Sequence, residues 1–211
     1  MPDRKIPGSA YDSETRNKIL DETTKFIALK GFGAVSMREI AKATGIKTSS
    51  IYHHYDSKDA LMADILARFE SGYRHYIEWL AAENRKADSL EKVMDNMFNK
   101  EFTNMLNPMA CLGMSIAVKE QHNNELARSL VFDLFFQYSI QSFQAAFDSL
   151  AEKGVIPPGN TRIIATLLMF FVLVSNDIRV HEYIGAEVPV DCAAMYGDLR
   201  KTLTAALQAG N

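Results

Sequence analysis

Residues 36–61 read SMREIAKATGIKTSSIYHHYDSKDAL, and the architecture of the chain follows from them. Ser36 and Glu39 stand three apart. At that spacing a serine hydroxyl takes the N3 backbone N–H and the N3 carboxylate reaches back to the serine's own N–H. Val35, just before the cap, is in register to staple onto Ile40. A short helix therefore starts at Ser36 and stops near Thr44-Gly45. After a three-residue turn a second short helix takes up TSSIYHHY. Two short helices joined by a glycine turn make a helix-turn-helix. The second helix is odd: three hydroxyls, an isoleucine, then four aromatic or imidazole rings, with no acid and no base except His53 and His54.

Outward from this motif nearly every segment reads as helix, with no period-2 strand pattern and no internal repeat. Residues 1–12 form a polar arm with Arg4 and Lys5. A helix from about Ser13 to Lys30 carries Ile19, Leu20, Thr23, Phe26 and Ile27 on one face and stops at Gly31. Asp56 or Ser57 caps a long helix to about Ala82. Asp88 and Glu91 have capping-box spacing and open a helix to about Leu106, broken by Asn107-Pro108. A short helix over Leu112–Glu120, a long one from about Asn124 to Lys153, and two more over Thr161–Ile184 and Asp191–Gln208 complete nine. The expected fold is all-α: a helix-turn-helix domain over 1–60 with its arm, then a larger helical domain over 61–211 for ligand binding and dimerisation.

The bulk numbers agree. With 211 residues and 47% apolar content the chain can bury a real core. Its net charge of −3 is unevenly spread: residues 1–60 carry ten Lys or Arg against eight Asp or Glu, the remainder thirteen against eighteen. A weakly basic head on an acidic body permits a nucleic-acid contact at the head. The N-terminus has no apolar run of the signal-peptide kind. The apolar stretch Ile163–Val174 is too short to cross a bilayer. Two distant cysteines, Cys111 and Cys192, suit a reducing compartment. A cytoplasmic protein without a membrane partner is expected.

The stretch SMREIAKATGIKTSSIYHHYDSKDAL resembles the N-terminal DNA-binding domain of the TetR family of bacterial transcription regulators. The likeness lies in the helix opening at Ser36, Ile40-Ala41, Gly45-Ile46, Tyr52, Tyr55, and Ser57-Lys58 before Leu61. It is close over residues 13–66, and beyond them only helix number and lengths agree. The resemblance places DNA contacts on Arg38, Thr48, Ser49, Ser50, Tyr52, His53, His54 and Lys58. Lys47 stands where the family often has Ser or Thr, which lets the cap of the recognition helix fall on Thr48.

The chemistry of these residues fits that role. Ile40, Ala41, Ile46 and Ile51 can fix the two helices at an angle. Thr48, Ser49 and Ser50 are short donors and acceptors for phosphates or base edges, with a methyl or methylene for a thymine methyl. Tyr52, His53 and His54 can bond the backbone alongside. Arg38, Lys42, Lys47, Lys58 and the arm would attract phosphate.

Other features of the chain also have plainer readings. Neighbouring histidines on a helix point about 100° apart, so His53 and His54 do not share a metal ion; no metal and no cofactor is expected. Asp177 and His181, four apart and beside Glu182, could form half of a metal site, and read rather as a helix-face hydrogen bond or a polar pair of a ligand pocket. Cys111 sits in NPMACLGMSIAVKE, and some electrophile-sensing TetR-like regulators carry a cysteine in a similar setting; the plainer reading is a small buried hydrophobe. Met94, Met97, Phe98, Phe102, Met105, Met109 and Met114, with Phe132, Phe135, Phe136, Phe143 and Phe147, exceed what one helix seam needs. They read as core, and with Trp79, Cys111 and Tyr138 as the walls of an adaptable cavity for an apolar or amphipathic small molecule. In the resembled family the last two helices of each subunit form a four-helix dimer interface. Here that face would comprise Leu167, Phe171, Val174 and Ile178, with Leu199, Leu203 and Leu207. The expected function is a homodimeric, ligand-responsive repressor on a near-palindromic DNA operator. The alternatives are a thiol sensor built on Cys111, or a helical enzyme or carrier with a vestigial head. No nucleophile–base pair or phosphate loop supports an enzyme.

Overall fold

The computed structural model describes residues 10–97, 108–188 and 190–208. Nine helices and no strand run through them: α1 (Ala10–Lys30), α2 (Met37–Thr44), α3 (Thr48–His54), α4 (Lys58–Lys86), α5 (Leu90–Met97), α6 (Pro108–Glu120), α7, α8 (Thr161–Tyr183) and α9 (Cys192–Gln208). The rod α7 joins Glu125–Ser129, a π-helical stretch Leu130–Tyr138 and Ser139–Glu152 end to end. Arg4, Lys5, Phe98, Phe102 and Met105 lie outside the described residues.

Local chemistry sets the helix ends. At α2 the box is closed: Glu39 N–H donates to Ser36 Oγ at 3.3 Å and Ser36 N–H to Glu39 Oε2 at 2.9 Å. Gly45 ends α2 with φ of 69°, a left-handed turn that only glycine adopts without cost. Ile46 N–H reaches back to Ala41 O at 3.1 Å. Ser57 caps α4. Two caps differ from expectation. Lys47, not Thr48, is the N-cap of α3 and gives it no side-chain bond. Ser89, not Asp88, caps α5, accepting from Lys92 N–H at 3.2 Å. At α5 the Ser89 hydroxyl, one residue nearer the helix than Asp88, stands where it can accept from the N3 amide.

Burial then assembles the elements. Ile19, Leu20 and Ile27 of α1, Ile40 of α2, Ile51 of α3 and Leu61, Met62 and Ile65 of α4 are buried together at the head end of one continuous core. The same core runs on through Tyr73, Ile77 and Leu80 of α4 into α5, α6, α7 and α8. Helix α4 therefore joins head to body. Helix α1 also packs along α6, where Lys119 Nζ donates to Ala28 O at 2.9 Å and Phe32 N–H to Glu120 Oε1 at 3.0 Å.

By length and composition α8 is long and apolar enough to cross a membrane, being 23 residues against the shorter run expected from Ile163–Val174. Its polar residues Ser175 and Asn176 face inward and are buried, and Asn176 Nδ2 donates to Cys111 O of α6 at 3.3 Å. That packing assigns one of its faces to the protein interior.

Candidate nucleic-acid interface

The face of α3 is built from the inside out. Ile51 is wholly buried and locks the helix onto α2. Everything turned away from that anchor is polar or aromatic. Ser49, Tyr52 and His53 are exposed, and Thr48, Ser50 and His54 are half-buried. Tyr52 keeps half of its surface in solvent. The rings of His53 and His54 meet edge-on with centroids 5.6 Å apart. Arg38, Lys42 and Lys47 are exposed nearby in sequence, and α3 itself holds no acid. The result is a helix with a rigid back and a hydrogen-bonding front of low charge, flanked by cations.

Two residues have intramolecular tasks that sequence reasoning missed. Lys58 was expected to clamp phosphate. Its ammonium instead donates to Phe32 O at 2.7 Å and Val35 O at 2.9 Å, and sits over the Phe32 ring at 4.2 Å. It thus ties α4 to the turn between α1 and α2. Tyr55 closes α3 from below. Its hydroxyl donates to Asp64 Oδ2 of α4 at 2.6 Å, and Arg16 of α1 bonds both, with Nε 3.1 Å from each and its terminal nitrogen 2.8 Å from Asp64. Burial first, and then Asp64, push the Tyr55 hydroxyl far above the ordinary phenol range. The sequence marks Tyr55 only as the last of four rings at the end of a short helix; its partners lie 39 positions before it and 9 after, which no local pattern links.

The body holds a cleft of about 470 Å³ between α1, α4 and α6. It is lined by Thr24, by Ile65, Arg68, Phe69, Gly72, Tyr73, His75, Tyr76 and Trp79 of α4, and by Met109, Ala110 and Gly113 of α6. Of the expected cavity residues the structure places Trp79 and Met109 there. Met94, Met97, Cys111, Met114 and Phe135 are buried in the core and do not line this cleft, and Tyr138 is half-buried under Arg74. Phe135 stands directly behind the wall, edge-on to Phe69 at 5.4 Å and to Tyr73 at 4.9 Å. Amphipathic spacing marks these residues as interior without saying which of them border a void. Cys111 is 1% exposed, which withholds its thiol from solvent electrophiles. Asp177 and His181 form an exposed pair, with Nδ1 3.6 Å from the carboxylate.

The expected dimer face divides. Leu167 and Val174 are exposed, joined by Ile163 and Phe170 on α8 and by Phe132 on α7. Phe171, Ile178, Leu199, Leu203 and Leu207 are half-buried against the protein's own core, Phe171 lying 5.2 Å from the Tyr196 ring.

Residues 19–65 match the family model described as "Bacterial regulatory proteins, tetR family". The HTH-type transcriptional repressor KstR2 of Rhodococcus jostii is 40% identical over 57 residues, 27% of this chain and 28% of that protein. The chain thus matches under a third of that relative's length. Solved structures extend the likeness to the whole fold. The fatty acid degradation regulator FadR from Bacillus halodurans superposes with a TM-score of 0.63 at 16% identity, covering 96% of this chain and 97% of that one. A gamma-butyrolactone receptor superposes with a TM-score of 0.62 at 19% identity, covering 92% and 98%. The head over residues 19–65 thus matches the TetR family of bacterial regulatory proteins, and the chain shares the helical fold of these solved structures.

Proposed function

We propose that the protein is a homodimeric DNA-binding transcription regulator, acting as a repressor, whose grip on its operator is released by a small molecule bound in the helical body. The observation that carries this reading is α3: seven residues, one buried anchor, and an outward face of hydroxyls and rings with no carboxylate. Such a face suits the major groove, where donors and acceptors are read and an acid would be repelled by phosphate. Ser49, Tyr52 and His53 are the exposed contacts, with Thr48, Ser50 and His54 beside them and Arg38 and Lys47 as phosphate anchors.

One head reads too few bases to find a site alone. The apolar stripe Ile163, Leu167, Phe170 and Val174 supports pairing of two copies, because an exposed patch of this kind marks an interaction surface. Paired heads would enter grooves one helical turn apart, roughly 34–36 Å. A ligand acts by binding the form whose heads do not fit the operator more tightly than the form whose heads do. The ties from α6 to α1 at Lys119 and Glu120 support a route from body to head.

The test is selection of bound sequences from a random duplex pool by the purified protein at near-physiological salt. An enriched inverted repeat is expected. Retention of all sequences alike, with steep salt dependence, would contradict a sequence-reading head.

A further inference from the structure

We propose that the cleft between α1, α4 and α6 is the effector site, and that it takes a flat, largely apolar molecule carrying one anionic group. This deepens the regulator reading, and rests on it only for the consequence at the operator.

The size of the cleft, about 470 Å³, falls within the range of small-molecule sites. Rings make up much of its wall, with Ile65, Met109 and Ala110 among them. Phe69, Tyr73, Tyr76 and Trp79 come from successive turns of α4, and Gly72, where an added Cβ would meet nothing within 4 Å, leaves the space beside them open. The Tyr76 and Trp79 rings lie 6.0 Å apart and tilted by only 31°, a surface on which a planar ring system can stack.

The wall is held in place before any ligand arrives. Phe69 is seated in the notch at Gly113, where an added Cβ would come within 2.7 Å of its ring. Phe135 braces Phe69 and Tyr73 from behind, and the Tyr73 hydroxyl is held by Ser139 Oγ at 3.0 Å. A cleft made this way does not collapse into its own space, so binding costs little reordering.

The rim sets the charge. Arg68 and His75 line it, both exposed, and no Asp or Glu does. One arm of Arg68 donates to Asp21 of α1 at 2.7 Å. A guanidinium has five N–H donors, so donors remain for a carboxylate or sulfonate at the mouth. The Thr24 hydroxyl on the opposite wall is already spent on Leu20 O at 2.7 Å. An aromatic cage for a cation would not place an arginine at its lip. Arg68 is thus the permanent cation of the rim, with His75 two turns further along α4, and the rest of the lining is mainly rings, Ile65, Met109 and small residues.

Trp79 is the chain's single tryptophan and stands in the wall, so its fluorescence reports occupancy directly. The experiment uses the full chain without DNA and two dyes with the same rings: 1-anilinonaphthalene-8-sulfonate and N-phenyl-1-naphthylamine, which lacks the sulfonate. Both should quench Trp79 saturably. Gly72→Leu fills the cleft, since a Cβ there meets nothing within 4 Å and the fold has room for it. It should weaken both dyes by at least about tenfold, with no fall in melting temperature, since a helix-interior glycine is replaced without a clash. Arg68→Gln should weaken the sulfonate dye by about tenfold and leave the neutral one unaltered. Dye binding that survives Gly72→Leu, for instance on the apolar stripe of α8, overturns the site. An equal effect, or none, of Arg68→Gln on the two dyes overturns the anionic end. Because no DNA is present, a head that reads no sequence leaves this result untouched.

Discussion

Lys58 and Tyr52 lie six positions apart in one motif, and the structure gives them opposite work. Tyr52 stands out into solvent, while the Lys58 ammonium caps two carbonyls of the α1–α2 turn. Tyr52→Ala should therefore weaken operator binding by an order of magnitude and leave thermal unfolding unchanged, as read by DNA titration beside a melt. Lys58→Ala should lower stability by about 1–3 kcal/mol, the worth of charged hydrogen bonds, and show up in the melt first. A Lys58→Ala protein with normal melting and a shallower salt slope would restore it to the phosphate-clamp role. Tyr55 adds a pH signature. Its hydroxyl is pushed above the ordinary range by burial and Asp64, and Tyr73 is pushed up to about 12 by burial. The folded chain keeps these protons while the unfolded chain loses them from about pH 10. Stability is then full below that pH and falls as pH rises through the folded values. Tyr55→Phe should flatten part of this alkaline decline in a series of urea melts, at the cost of the Arg16 and Asp64 bonds at neutral pH.

Helices here owe their positions to small irregularities. The π-helical stretch of α7 fits extra backbone into its turns, and Ser139 Oγ donates to Leu134 O, five residues back, at 2.9 Å. That offset brings Phe135 inward against Phe69 and Tyr73 while Phe132 is left outside. Such stretches often mark functional sites. Gly113 performs the matching task on α6, since only a residue without Cβ lets that helix sit on Phe69. Gly113→Ala gains helix propensity yet should destabilise the protein by about 1–3 kcal/mol, the usual cost of overpacking. The same substitution should impair dye binding at Trp79, because Phe69 has to shift. A melt equal to that of the parent protein would mean that α6 moves aside freely.

At the scale of the whole molecule, the proposed pairing of two copies rests on the exposed stripe of α8. Leu167→Glu places a charge at the centre of Ile163, Leu167, Phe170 and Val174 and should yield monomers in sedimentation, with operator affinity reduced by at least about a hundredfold. Leu199→Glu, on a half-buried α9 residue packed on its own core, should instead lower the melting temperature. Dimers that persist in Leu167→Glu would move the interface elsewhere.

Much of this was legible in residue order. The Ser36–Glu39 box, the glycine stop at Gly45, the spacing of Ile40, Ile46 and Ile51, and the helical periodicity of the body are local. Hydrogen bonds and side-chain stripes within a few residues dictate them, so nine helices and a helix-turn-helix head follow from sequence. What surfaces face each other is not local. Lys58 reaching Val35, Arg16 and Asp64 converging on Tyr55, Phe69 fitted into Gly113, and the side of α8 left bare all depend on contacts between elements far apart in sequence. Periodicity marks a side chain as apolar and inward. Only the packing of whole helices decides whether it meets another side chain, as Phe135 does, or an open cleft, as Trp79 does.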